Sequence, residues 1–187
     1  MVWQHSDPLR CVGASRASPN RSGPSHCRGA TTQIFARHGA FHWIIYVTDA
    51  DGKASTYQWS EQGGTPGLQA EGVDIQELHP VTTYSSTNNL TLAFFKITGF
   101  NSATPSDKIH QVALAAFPDR GYPSVRENRQ NNLTCRTWAL KVLRILMDEG
   151  WLVRNDIPEV IEDIVKKRSI EVEGNLESFT ESVVVDI

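Results

Sequence analysis

Two residues of this 187-residue sequence have the type and surroundings for nucleophilic chemistry, Cys135 and His42. Cys135 directly follows Thr134, and Trp138, Ala139, Val142, Ile145 and Leu146 recur behind it at helical spacing. Thr134 suits an N-cap and Gly150 a C-terminal stop, so the spacing predicts a helix with Cys135 in its first turn. Unpaired backbone N–H groups and the helix dipole favour a thiolate there, the form of cysteine that attacks a carbonyl carbon. A thiol nucleophile needs a base. His42 is the candidate: it lies in the β-rich run from Phe41 to Val47, where alternation sets it on the side of Ile44 and opposite to Trp43 and Ile45. Taken singly, a helix cysteine is by default a small buried hydrophobe and a strand histidine a satisfied core residue. The functional reading of each depends on the other.

No other titratable group has such a setting. His79 stands before Pro80 at a strand end and His110 in a helical stretch, neither with a Cys, His or acid at metal-ligand spacing. His79 is the reserve candidate for a group that orients the base. His5, His26, His38, Cys11 and Cys27 fall in or beside a basic N-terminal segment and carry no assigned role. Three cysteines without a CxxC pair argue against a disulfide framework and a cysteine-rich zinc site, and no metal or organic cofactor is implied. Gly63-Gly64-Thr65-Pro66-Gly67 neither closes with Lys-Ser/Thr nor leads into a helix, so it reads as a hairpin loop or lid rather than a phosphate cradle. Glu159, Glu162 and Asp163 fall on a solvated helix face.

The elements that must position the pair follow from periodicity and turn chemistry. Residues 41–47 and 54–59 flank an Asp51-Gly52 signal and form a hairpin; a weaker strand spans 73–78 and a clear one 90–98, with 82–89 as the turn between them. After Gly99 the pattern becomes helical. Ser106 caps a segment with Ile109, Val112, Ala113, Ala116 and Phe117 inward, residues 123–132 form a polar loop, and after the Cys135 helix another runs from Asn155 or Asp156 to Arg168 with Pro158 in its first turn. The expected fold is α+β: an antiparallel sheet of about four strands packed against a C-terminal helical set, in one domain over residues 34–168.

Residues 1–33 are rich in Ser, Arg, Gly and Pro and show no periodic apolar face, so they read as a disordered basic tail. Residues 169–187 are acidic and unassigned. The tail composition matches an organelle transit peptide, but no amphipathic face accompanies its arginines. The formal net charge of −3 combines that basic segment with an acidic body, which argues against nucleic-acid binding. No apolar run is long enough to span a bilayer and none resembles a secretory signal, so a cytoplasmic protein without stable membrane insertion is expected.

The order of these features, an HW strand, a hairpin and a late helix opening with Cys, resembles the permuted papain-like thiol enzymes of the lecithin:retinol acyltransferase group. The carrying residues are His42-Trp43-Ile44-Ile45-Tyr46-Val47, similar to the family's H-W-A-I-Y-V strand, and Leu133-Thr134-Cys135-Arg136-Thr137-Trp138, similar to its N-C-E-H-F helix start. The chain also looks like small uncharacterised fungal proteins with an HW strand and a C-R-x-W helix. The resemblance implies a permuted papain-like fold. Where the family's second strand carries another histidine this chain has Gln58, and where the family has Asn before the cysteine it has Thr134. On that likeness Gln58 is the third member of the site and orients His42, as the amide of papain-type triads does. The expected activity is thiol-dependent acyl transfer or amide or ester hydrolysis on a small-molecule or peptide acyl substrate. The alternatives are a non-catalytic binding or effector module on the same fold, or a small biosynthetic enzyme that joins acyl or aminoacyl groups through the same cysteine.

Overall fold

The computed structural model describes residues 9–17, 41–48, 54–78, 89–101, 104–117, 121–174 and 183–187. In chain order these form β1 (Leu9–Ala17), β2 (His42–Thr48), β3 (Ala54–Ser60), a 3-10 turn at Glu61–Gly63, β4 (Gly72–Leu78), β5 (Asn89–Lys96), α1 (Ser106–Ala115), α2 (Val125–Gln130), α3 (Cys135–Asp148), α4 (Pro158–Gly174) and β6 (Val183–Asp186). The architecture is mixed α+β, with C-terminal helices and a sheet that is antiparallel except for its β5–β6 pair.

Strands β2, β3 and β4 form an antiparallel meander in which Ile44 pairs with Gln58 and Gln58 with Asp74. Directly paired residues share a face, so strand alternation sorts the meander into two surfaces. Trp43, Ile45, Tyr57 and Trp59 form the one that joins the main core; α3 packs on β2 and β3, with α1 against α3 and α4 against α3 and β5, and the helices contribute Ile109, Val112, Ala113, Trp138, Ala139, Val142, Leu143, Leu146, Ile161 and Val165. Each large side chain so buried contributes roughly 1.5–3 kcal/mol. The Trp138 indole N–H donates to the Ala113 carbonyl at 3.1 Å, which satisfies a buried donor and ties α3 to α1. The inward stripe of α3 contains Leu143 at full burial, while Ile145, expected in that stripe, is half-buried. Among the described residues no helix is long and apolar enough to cross a membrane.

Several expectations need correction. Among the described residues the sheet has six strands rather than about four, in the order β4-β3-β2-β1-β5-β6. Within the segment expected to be a disordered tail, Leu9–Ala17 is a strand paired antiparallel to both β2 and β5. Composition weighs only side-chain burial; here the backbone N–H and C=O groups find partners on both sides, between two strands that would otherwise show open edges. The remainder of the expected tail, the 49–53 hairpin turn and residues 79–88 lie outside the described residues. Part of the polar stretch 123–132 is the short helix α2, capped by Ser124, whose hydroxyl accepts from the Glu127 N–H. Pro105, not Ser106, is the N-cap of α1. α4 begins at Pro158 and continues six residues past Arg168, and the unassigned acidic end supplies β6, parallel to β5. Glu162, expected on a solvated face, is largely covered and pairs with Lys166 at 2.6 Å and Arg136 at 3.5 Å.

Candidate active site

The helix that carries Cys135 starts where its local sequence dictates. The Thr134 hydroxyl accepts from the Thr137 N–H at 3.1 Å, and the Thr137 hydroxyl accepts from the Thr134 N–H at 3.0 Å, a reciprocal capping box. Just upstream, Asn132 takes the left-handed conformation with φ of 59°, which asparagine tolerates better than most residues. Leu133 donates its N–H to the Asn128 carbonyl at 2.8 Å. This tight lead-in makes Cys135 the first residue of α3, while His42 is the first residue of β2. The two side chains meet where strand and helix begin, close enough that each shifts the ionisation of the other.

The imidazole has a second partner. His42 Nε2 lies 2.7 Å from Gln58 Oε1, on the face that His42 shares with Ile44 and its paired Gln58. The Gln58 amide then donates from Nε2 to Asp74 Oδ2 at 2.8 Å, and Gln76 Nε2 donates to the same oxygen at 2.8 Å. A polar line Cys135–His42–Gln58–Asp74 therefore crosses α3, β2, β3 and β4.

A second polar cluster adjoins it. Glu71, buried just before β4, accepts from Arg129 on both oxygens, at 2.7 and 2.9 Å, and from Asn128 Nδ2 at 2.9 Å. Arg129 also donates to the Leu133 carbonyl at 2.8 Å, two residues before Cys135. Asn128 Oδ1 accepts from the Tyr122 N–H at 2.7 Å. Gly121 lets the 121–122 segment approach, since a Cβ there would stand 2.6 Å from the Glu71 carbonyl oxygen.

The electrostatics favour a charged pair. Burial pushes the Cys135 thiol up, but the His42 hydrogen bond and charge, the Trp43 backbone N–H and the Arg129 charge together hold it below the usual thiol value. Burial pushes His42 down; the Cys135 hydrogen bond and charge, the Gln58 bond and the Glu71 charge outweigh it and raise the imidazole above its usual value. Both shifts favour thiolate beside imidazolium, the combination that attacks an electrophilic carbon and returns a proton to a leaving group.

The structure thus brings together three residues singled out in the sequence, Cys135, His42 and Gln58. His79, the reserve orienting candidate, lies outside the described residues. His110 is exposed on α1. Sequence reasoning missed Asp74 and the Glu71–Asn128–Arg129 group. Asp74 had a usable signal, because a hairpin centred on Pro66 pairs positions 58 and 74. Glu71 and Arg129, 58 positions apart, had none. Among the described residues no group of three or more His, Cys, Asp or Glu could hold a metal ion. A shallow depression lined by Arg144, Met147, Leu152, Arg154 and Asp156 lies at the opposite end of α3, about 14 Å along the helix from Cys135. In comparison with known proteins, no family model, curated sequence or solved structure matches the chain.

Proposed function

We propose that this protein is a thiol enzyme that transfers or hydrolyses acyl groups, with Cys135 as nucleophile, His42 as base and Gln58 as the group that orients His42. The observation that carries this reading is the junction of Cys135 at the start of α3 with His42, itself held by Gln58 at 2.7 Å, in which each of the two groups favours the charged form of the other. The strand-before-helix order of histidine and cysteine fits the permuted papain-like plan.

In the proposed reaction the Cys135 proton passes to the imidazole nitrogen that Gln58 leaves open, and the thiolate sulfur adds to the acyl carbonyl carbon. The carbonyl oxygen takes up the negative charge beside the positive end of α3, where backbone N–H groups support it. Collapse breaks the bond to the leaving amine or alcohol, which departs with the proton from His42. In the second half-reaction His42 takes a proton from water or an acceptor nucleophile, which attacks the thioester and restores the thiol. Substrates of this chemistry are small-molecule or peptide acyl compounds.

Incubation with an activated acyl ester, followed by intact-mass and peptide analysis, tests the proposal. The expected result is one acyl group on Cys135, absent in Cys135→Ala and discharged by water or an added amine. A wild-type chain that forms no acyl-cysteine and turns over no ester across a panel of acyl groups would overturn it in favour of a binding module.

A further inference from the structure

We infer that Asp74 is a positioning residue that locks the Gln58 amide in the one orientation that leaves the thiol-facing nitrogen of His42 able to accept a proton. This assignment rests on the thiol-enzyme reading above.

A glutamine side chain is nearly symmetric in shape, with one end that only accepts and one that only donates. Its neighbours decide which end points where. An ionised Asp74 carboxylate can only accept, so the Gln58 NH2 must face it, as the 2.8 Å contact from Gln58 Nε2 to Asp74 Oδ2 shows. The opposite end, Oε1, then faces His42 and can only accept. His42 Nε2 must therefore carry a hydrogen, and in the neutral ring the lone pair falls on Nδ1, the nitrogen left for the Cys135 proton. A reversed amide would present NH2 to Nε2 and draw the ring hydrogen to Nδ1. The ring could not then take the thiol proton, and the amide dipole would oppose the imidazolium.

Asp74 is built for this task. Register pairs it directly with Gln58 across β3 and β4, so the backbone fixes the approach. Gln76 donates to the same carboxylate oxygen at 2.8 Å and holds it from the other side. The other charges that act on the His42–Cys135 pair, Glu71 and Arg129, are paired with each other through two hydrogen bonds and make none to the Gln58 amide.

The test uses the full chain and two readouts that need no turnover. In Cys135→Ala, where His42 has no thiol to titrate, long-range proton–nitrogen NMR reads the ring tautomer: we expect the Nε2–H form. Adding Asp74→Asn, whose amide can accept or donate, should give a mixture of tautomers. Adding Gln58→Glu to that pair, so that an acceptor-only carboxylate faces His42 and the amide introduced at position 74 donates to it, should restore Nε2–H. With Cys135 intact, Asp74→Asn should raise the pH at which iodoacetamide labels the thiol and lower ester turnover about tenfold, the equivalent of one lost orienting hydrogen bond. The Gln58→Glu/Asp74→Asn pair should recover both.

A pure Nε2–H ring in Cys135→Ala/Asp74→Asn, with unchanged labelling in Asp74→Asn, would overturn the assignment. Should Asp74→Asn fail to fold, the double substitution, which keeps a hydrogen bond between the two strands, decides the matter: loss of Nε2–H in it overturns the assignment. If wild type forms no acyl-cysteine but Asp74→Asn mixes the tautomers, the enzyme reading fails and the Asp74 assignment stands. The reverse pattern keeps the enzyme and discards Asp74.

Discussion

Two polar clusters hang from the same end of β4, three residues apart, and they differ in what is left over once every hydrogen bond is counted. Around Glu71 the donors close on the carboxylate: Arg129 takes both oxygens, Asn128 one of them, and Arg129 reaches on to the Leu133 carbonyl. No proton there has anywhere to go. Around Asp74 the bonds run in a line, and the line ends on a thiol and an imidazole that can exchange a proton. The closed cluster pins the segment that leads into α3, and the open one ends at the Cys135 sulfur. The two also cooperate, since the Arg129 charge favours the Cys135 thiolate and the Glu71 charge the His42 imidazolium. Similar residue types serve architecture in one place and a candidate reaction in the other because only one arrangement leaves a transferable proton.

Four experiments put that contrast at risk. The largest effect belongs to the open end: Cys135→Ala and His42→Ala should each lower turnover of an activated acyl ester by about a thousandfold or more, with little change in melting temperature. Stopped assays beside thermal melts check this, and a melting loss without a rate loss would invert the assignment of the two clusters.

Glu71→Ala should do the opposite. It leaves the Arg129 guanidinium beside a buried vacancy, and since Arg129 is about one-third exposed, we discount the usual buried-pair cost to roughly 2–3 kcal/mol. For a chain of this size that is a fall of roughly 5–10 °C in Tm by calorimetry. Turnover at low temperature should persist within a few fold, because no atom of the proton path is removed.

Gln58→Ala is intermediate. It removes one hydrogen bond to the base, worth about 1–3 kcal/mol, and should slow turnover roughly five- to 150-fold. Gln58→His should recover the rate, since an imidazole can also accept from His42 Nε2. Full activity in Gln58→Ala would detach β3 from the site.

The smallest effect is a shift in pH dependence. Because His42 holds the Cys135 thiol below its usual value, iodoacetamide labelling of the wild type should persist below the free-cysteine range, around pH 8.5, and fade as pH falls through the lowered value. In His42→Ala that support is gone and only the Trp43 backbone N–H and the Arg129 charge are left to oppose burial, so the labelling midpoint should move up. Cys11 and Cys27 are replaced by Ser throughout the thiol assay so that Cys135 alone reports. A wild-type midpoint at or above roughly 8.5 would remove the nucleophile.

The parts of this molecule legible in its sequence are those decided by near neighbours along the chain. The α3 start could be read from Thr134 and the apolar stripe behind it, because capping and helical spacing act within a few residues. The strand of His42 could be read from alternation, and the β3–β4 hairpin from its Gly and Pro loop. Gln58 came from likeness to a motif, a weaker guide than either. What tertiary structure alone decided are the contacts between distant segments. The Glu71–Arg129 pair joins positions 58 residues apart, and nothing local marks either residue as its partner's match. β1 has no periodic apolar face and becomes a strand because two others offer it backbone partners. Asp74 lies between these cases: its pairing with Gln58 follows from hairpin register, but the bond between them needs two side chains on one face of a formed sheet. Local energetics determined where a thiolate would be favoured, and long-range packing determined which base, amide and carboxylate stand in line behind it.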